Sequence, residues 1–174
     1  MTTLPTFEAL GAAGPAPELA EQLMLYGQFV GEWDFDWTGF DADGNETLTT
    51  KGEWLFIWIL EGRAVQDVWI CPSRELRSLP DAPQGEHGTT VRMFDPEIEM
   101  WRVVWFGPGF NNLRSFVAYA RNGEIVQEGR TPGGEPLHWI FFDIGHDSFE
   151  WRSQILHGGR WRPSERMSVR RRSA

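Results

Sequence analysis

From Gly31 onward the chain alternates. Trp33, Phe35 and Trp37 fall on one face of an extended segment and Asp34, Asp36 and Thr38 on the other, the period of two that a half-buried strand requires. Asp41-Ala42-Asp43-Gly44 follows, and because Asp and Gly tolerate positive φ, a tight hairpin turn is predicted there. In the next segment Leu48, Thr50, Gly52, Trp54, Phe56 and Trp58 share one face. The opposite face changes from Thr47, Thr49, Lys51 and Glu53 to Leu55, Ile57 and Ile59, so this strand is expected to end covered on both sides, with the N-terminal helix as the cover. Turn signals recur at Glu61-Gly62, Asp95-Pro96, Gly107-Pro108-Gly109, Asn122-Gly123, Pro132-Gly133-Gly134, Gly145-His146-Asp147 and Gly158-Gly159. The apolar, β-branched or aromatic segments between them, near 63–71, 89–94, 99–106, 113–120, 124–129, 136–143, 148–156 and 161–171, bring the predicted strands to ten.

Ahead of the strands, residues 1–17 are rich in Pro, Ala and Gly and read as a loosely held arm, with residues 18–174 forming the folded domain. Pro17 suits the first turn of a helix, and Leu19, Leu23, Tyr26 and Val30 lie on one stripe of it, fit to cover an apolar opening. Ten antiparallel strands joined by short turns must dispose of their sheet edges, and closure removes edges altogether. A sandwich would need long Greek-key crossings, whereas the one long connection here runs from Pro72 to Gly88 and reads as a mobile loop at a barrel mouth. The expected fold is therefore all-β, a ten-stranded antiparallel up-and-down barrel with a short N-terminal helix, too wide for side chains to fill completely.

Composition narrows the function classes. The 174-residue chain carries a formal charge of -9, which disfavours a nucleic-acid footprint. The arginines crowded at 160, 162, 166, 170, 171 and 172 read as the solvent face of a last strand, with an anion or partner contact as the functional alternative. With one cysteine, Cys71, an intramolecular disulfide is excluded and a cytoplasmic location is expected. The N-terminus lacks a basic region followed by an apolar run, and the longest apolar stretch, Trp54 to Leu60, is too short for a bilayer. Ten Trp in so small a protein can form core, line a pocket or make an interface.

Particular motifs carry a resemblance. The helix running into Gly31-Glu32-Trp33, then Leu60-Glu61-Gly62-Arg63-Ala64-Val65-Gln66-Asp67-Val68-Trp69, then Phe94-Asp95-Pro96 with Trp101-Arg102-Val103-Val104-Trp105, and finally Phe149-Glu150-Trp151-Arg152, is similar to an uncharacterised bacterial family of calycin-like barrels. That family is distantly akin to lipocalins, fatty-acid-binding proteins and nitrobindin, and the likeness covers roughly residues 20 to 172. It implies a ten-stranded barrel and no set of catalytic residues; nitrobindin-like members hold a haem through a His ligand, which makes haem binding one alternative.

The apolar faces predict an interior of Trp33, Phe35, Trp37, Trp54, Phe56, Trp58, Trp101, Val103, Trp105, Ile125, Phe149 and Trp151, with the polar Gln127 and Ser153 among them. Candidate ligand-binding residues are Trp37, Phe56, Trp58, Gln66, Trp105, Tyr119, Gln127, His138 and Trp151. Gln66 and Asp67 cannot both face inward. If Asp67 does, it is a buried acid and, with His138, a candidate for proton transfer in an isomerase, cyclase or lyase. His87, His146 and His157 fall in predicted loops, and no paired metal-ligand spacing, nucleophile elbow or phosphate-binding loop occurs, so no cofactor or metal is expected. The leading expectation is a binding protein for a small hydrophobic or aromatic molecule. Trp69 or Trp161, if outward, would suit a homodimer contact.

Overall fold

The computed structural model describes residues 5–173. A helix α1 (Pro5–Leu10), a two-residue strand β1 (Gly11–Ala12), a 3-10 turn (Pro17–Leu19) and a second helix α2 (Ala20–Gly27) precede ten long strands. These are β2 (Gly31–Phe40), β3 (Glu46–Ile59), β4 (Ala64–Cys71), β5 (Glu86–Asp95), β6 (Met100–Gly107), β7 (Asn112–Arg121), β8 (Glu124–Arg130), β9 (Pro136–Phe142), β10 (Ser148–His157) and β11 (Arg160–Arg171). Each pairs antiparallel with its neighbours in sequence. β11 then pairs with β2, from Arg171 opposite Trp33 to Glu165 opposite Gly39, which closes the ten-stranded barrel. Outward charges reinforce that seam: Arg170 reaches Asp36, and Arg172 reaches Glu32, Asp34 and Glu53.

One end is plugged and the other is not. At the end where β2 begins, Leu23 and Tyr26 of α2, with Phe29 just beyond it, pack among Trp33, Phe56, Phe141 and Phe149, all at most 1% exposed. The rings meet at centroid distances of 4.7 Å for Phe29–Phe149 and 4.9 Å for Trp33–Phe149, so this half is a solid aromatic core. The helix thus lies across the barrel end and not on the outer face of β3: Ile57 is 48% exposed, and Ile59 is covered where β1 pairs with it. The reason is that the stripe of α2 finds its apolar partners inside the opening, where ten strands leave room for it.

The opposite end carries the β4–β5 connection. It contains a helical turn α3 (Arg74–Arg77), capped by Ser73, whose Oγ accepts from Leu76 N. Glu53 anchors the turn by accepting from the Arg74 backbone N–H at 2.7 Å and from its guanidinium at 2.5 Å. β5 consequently begins at Glu86, three residues before the predicted 89, and shortens the loop. Among the described residues no helix is long and apolar enough to cross a membrane.

A β-bulge in β11 decides which way its residues point. Gln154 pairs with Pro163, yet Ser153 pairs with Glu165, so Ser164 is the extra residue and the parity of the strand flips there. Trp161 on one side of the bulge is outward, stacked on His138 at 4.0 Å, while Glu165, Met167 and Val169 on the other face in. Pro163, which donates no ladder hydrogen bond, sits at this interruption.

Candidate functional site

The unplugged half encloses a cavity of about 190 Å³. Six of the ten Trp line it, namely Trp37, Trp54, Trp69, Trp105, Trp139 and Trp151. The rings buttress one another edge to face: Trp69 on Trp105 at 6.0 Å, Trp105 on Trp139 at 6.1 Å, and Trp139 on Trp151 at 5.7 Å. Glycines make this lining possible. Gly52, opposite Phe35, and Gly88, opposite Trp69, face inward, and an added Cβ would come within 2.1 Å of the Phe35 ring or 2.3 Å of the Trp105 ring. Rings lie flat over bare backbone at these two positions, and the centre stays open.

The polar groups on this wall are few and under-used. Gln127 is 0% exposed, and both ends of its amide lack a hydrogen-bond partner among the described residues. Trp54 Nε1, Arg92 Nε and Asn112 Oδ1 are likewise buried and unpartnered. Buried polar atoms are normally satisfied, so four such groups around one space mark a place where a ligand or water completes the set.

Two carboxylates and one ion pair set the electrostatics. Asp67 and Arg92, 0% and 1% exposed at the side chain, pair at 2.5 Å, and Asp67 Oδ1 also accepts from Thr90 N at 3.1 Å. The guanidinium of Arg92 lies over the rings of Tyr26 at 5.0 Å and Phe56 at 5.5 Å, between the solid core and the cavity. Burial, only partly offset by Arg92, pushes the Tyr26 phenol well up. Glu86 accepts three backbone N–H groups, from His87, Gly109 and Phe110. Glu165, midway along β11 just past the bulge, accepts one hydrogen bond, from Trp37 Nε1 at 3.0 Å, and dehydration of its carboxyl raises its pKa. The cavity is partly open to solvent at this end, where Phe110 is 55% exposed.

Of the residues singled out from the sequence, Trp37, Trp105, Gln127 and Trp151 meet at the cavity. Phe56 belongs to the core beneath it, and Trp58 packs against Gly27 of α2. Asp67, not Gln66, faces inward; Gln66 lies on the outer side and donates to Thr89 Oγ1 at 2.9 Å. Trp69 also points in, stacked on Phe35 at 5.4 Å, so it offers no outer patch. Tyr119 and His138 are outside the barrel: Tyr119 donates to Glu128 at 2.6 Å, and His138, its pKa lowered by burial, stacks on Trp161. Their inward-facing neighbours are Ala118 opposite Gln127 and Trp139 opposite Ser153. β9 is apolar on both faces, so alternation within it could not tell Trp139 from His138; the register with Ser153 does.

Reading the chain alone passed over Arg92, Asn112, Trp139 and Glu165. Thr90, Arg92 and Phe94 share the inner face of β5, but the outward residues Val91 and Met93 are the more apolar pair, and Met93 is 50% exposed. The signal available was the charge complementarity of Asp67 and Arg92 on predicted neighbouring strands. None of the four histidines lines the cavity, so a haem ligand of that type is lacking, and no group of three or more His, Cys, Asp or Glu among the described residues could hold a metal ion.

No family model matches the chain, and no curated protein matches it in sequence. Among solved structures it is similar to an S-type phycobiliprotein lyase, CPES, from Guillardia theta. That match has 10% identity, a TM-score of 0.57, and covers 87% of this chain and 92% of that one. A protein of unknown function from the DUF3598 family of Nostoc punctiforme also matches, at 10% identity and a TM-score of 0.27, over 87% of this chain and 99% of that one. The first likeness concerns the barrel fold.

Proposed function

We propose that this protein binds a small hydrophobic or aromatic molecule, of one or two rings, inside the indole-lined half of its barrel. The observation that carries this is the coincidence of six Trp with four unpartnered buried polar groups around a space of about 190 Å³. Apolar walls with a few convergent polar groups are the usual make-up of a small-molecule site. An apolar cavity of about 150 Å³ holds a benzene, so the space sets the size of the ligand without any movement of the walls. The fold shared with a phycobiliprotein lyase supports this reading, and the resemblance of the chain's motifs to calycin-like barrels accords with it. A full tetrapyrrole would need the walls to part.

The test is direct. Titration with one- and two-ring aromatics is expected to quench Trp fluorescence and raise the melting temperature. In Gln127→Met the same compounds should bind about tenfold more weakly if they hydrogen-bond the amide, while the empty protein gains up to about 1 kcal/mol because an unsatisfied group is gone. A panel that changes neither fluorescence nor melting temperature at millimolar concentration would end the reading.

A further inference from the structure

The charges around the cavity do not balance, and on the binding reading above this names the charge of the ligand. Arg92 is already cancelled by Asp67 at 2.5 Å. The Glu86 carboxylate is spread over three backbone N–H groups at 2.8 to 3.1 Å. Glu165 has neither kind of support: among the described residues no cation lies within ion-pair distance, and its single donor is Trp37. Among the described residues that line the cavity, an anionic ligand would therefore meet two carboxylates and no free cation. An organic cation gains twice there, from the carboxylate in a poorly hydrated setting and from the negative faces of the indoles. The formal charge of -9 adds a long-range attraction of the same sign. Deeper in, Trp54 Nε1 and Arg92 Nε offer N–H groups to an uncharged acceptor.

We propose that the cavity takes a compact amine in its protonated form, the ammonium group lying against Glu165 and the faces of the indoles and the ring body reaching inward toward Gln127. Nothing in this assignment requires chemistry on the ligand.

Isothermal titration of the full chain with 2-phenylethylamine, 2-phenylethanol and 3-phenylpropionate separates charge from shape, since the three share one ring and a similar length. The amine is expected to bind at least tenfold more tightly than the alcohol, and the carboxylate most weakly. In Glu165→Gln the amine should lose that advantage while the alcohol is unaffected. If the alcohol matches the amine, or the carboxylate exceeds it, the charge assignment falls and the cavity reading stands. Binding of none of the three at millimolar concentration overturns both. The ranking in the unsubstituted protein decides the matter even should Glu165→Gln fail to fold.

Discussion

Replacing Asp67 by Asn strands a guanidinium. Arg92 is 1% exposed and enclosed by Tyr26, Phe56 and Phe141, with Asp67 as its only anionic partner among the described residues, so in Asp67→Asn its buried charge has no counter-ion. Removing one member of such a pair costs about 3–5 kcal/mol, which for a chain of this length lowers the melting temperature by about 6–20 °C. Replacing both, as Asp67→Leu with Arg92→Met, removes the uncompensated charge as well as the pair. It should restore most of the loss or exceed the parent, because apolar substitutes spare the dehydration of two ions. Urea unfolding of the parent, Asp67→Leu, Arg92→Met and the double replacement closes the cycle, and a coupling of several kcal/mol is expected. If Asp67→Asn unfolds within 1 kcal/mol of the parent, or if the double replacement is the least stable of the four, the pair is not dehydrated as described. The same cycle bears on chemistry: with one Asp67 oxygen on Arg92 and the other on Thr90 N, the residue is built to hold a cation in place.

Gly52→Ala should destabilise by about 3 kcal/mol, because its Cβ meets the Phe35 ring at 2.1 Å and the Ile70 carbonyl oxygen at 2.7 Å; a neutral or stabilising result by urea unfolding, as strand propensity alone would suggest, refutes the packing argument. Glu53 is held at a pKa of about 2, down from 4.5, by hydrogen bonds from Arg74 first and Arg172 last, with burial opposing them. A depressed carboxylate contributes stability above 4.5 that is lost as the pH falls toward 2, so Glu53→Gln should cost about 1–2 kcal/mol at pH 7, discounted because Arg74 is 60% exposed, and little near pH 2. A stability gap that does not change with pH would contradict this origin.

How much of this could be read along the chain differs from strand to strand. β2 sets an aromatic face against an acidic one, and β6 puts both its Trp on a single face, so Trp33, Phe35, Trp101 and Trp105 declare the interior unaided. β9 is apolar on both faces and β5 carries its charge inside, so neither declares its parity. There the direction is inherited across hydrogen bonds: Ser153 opposite Trp139 settles β9, and Asp67 opposite Thr90 settles β5. Period-two patterning is local, and where it is silent a side chain's direction is set by the strand next door, far away in sequence.

The sequence by itself therefore determined the number of strands, their order and the need to close, since turn chemistry and alternation act between near neighbours. Tertiary structure alone decided that α2 fills one end and leaves the other hollow, that a single bulge residue turns Glu165 inward, and that Arg92 meets Asp67 beneath the cavity. These outcomes depend on volume and on charge pairing between segments that meet only once the barrel has closed.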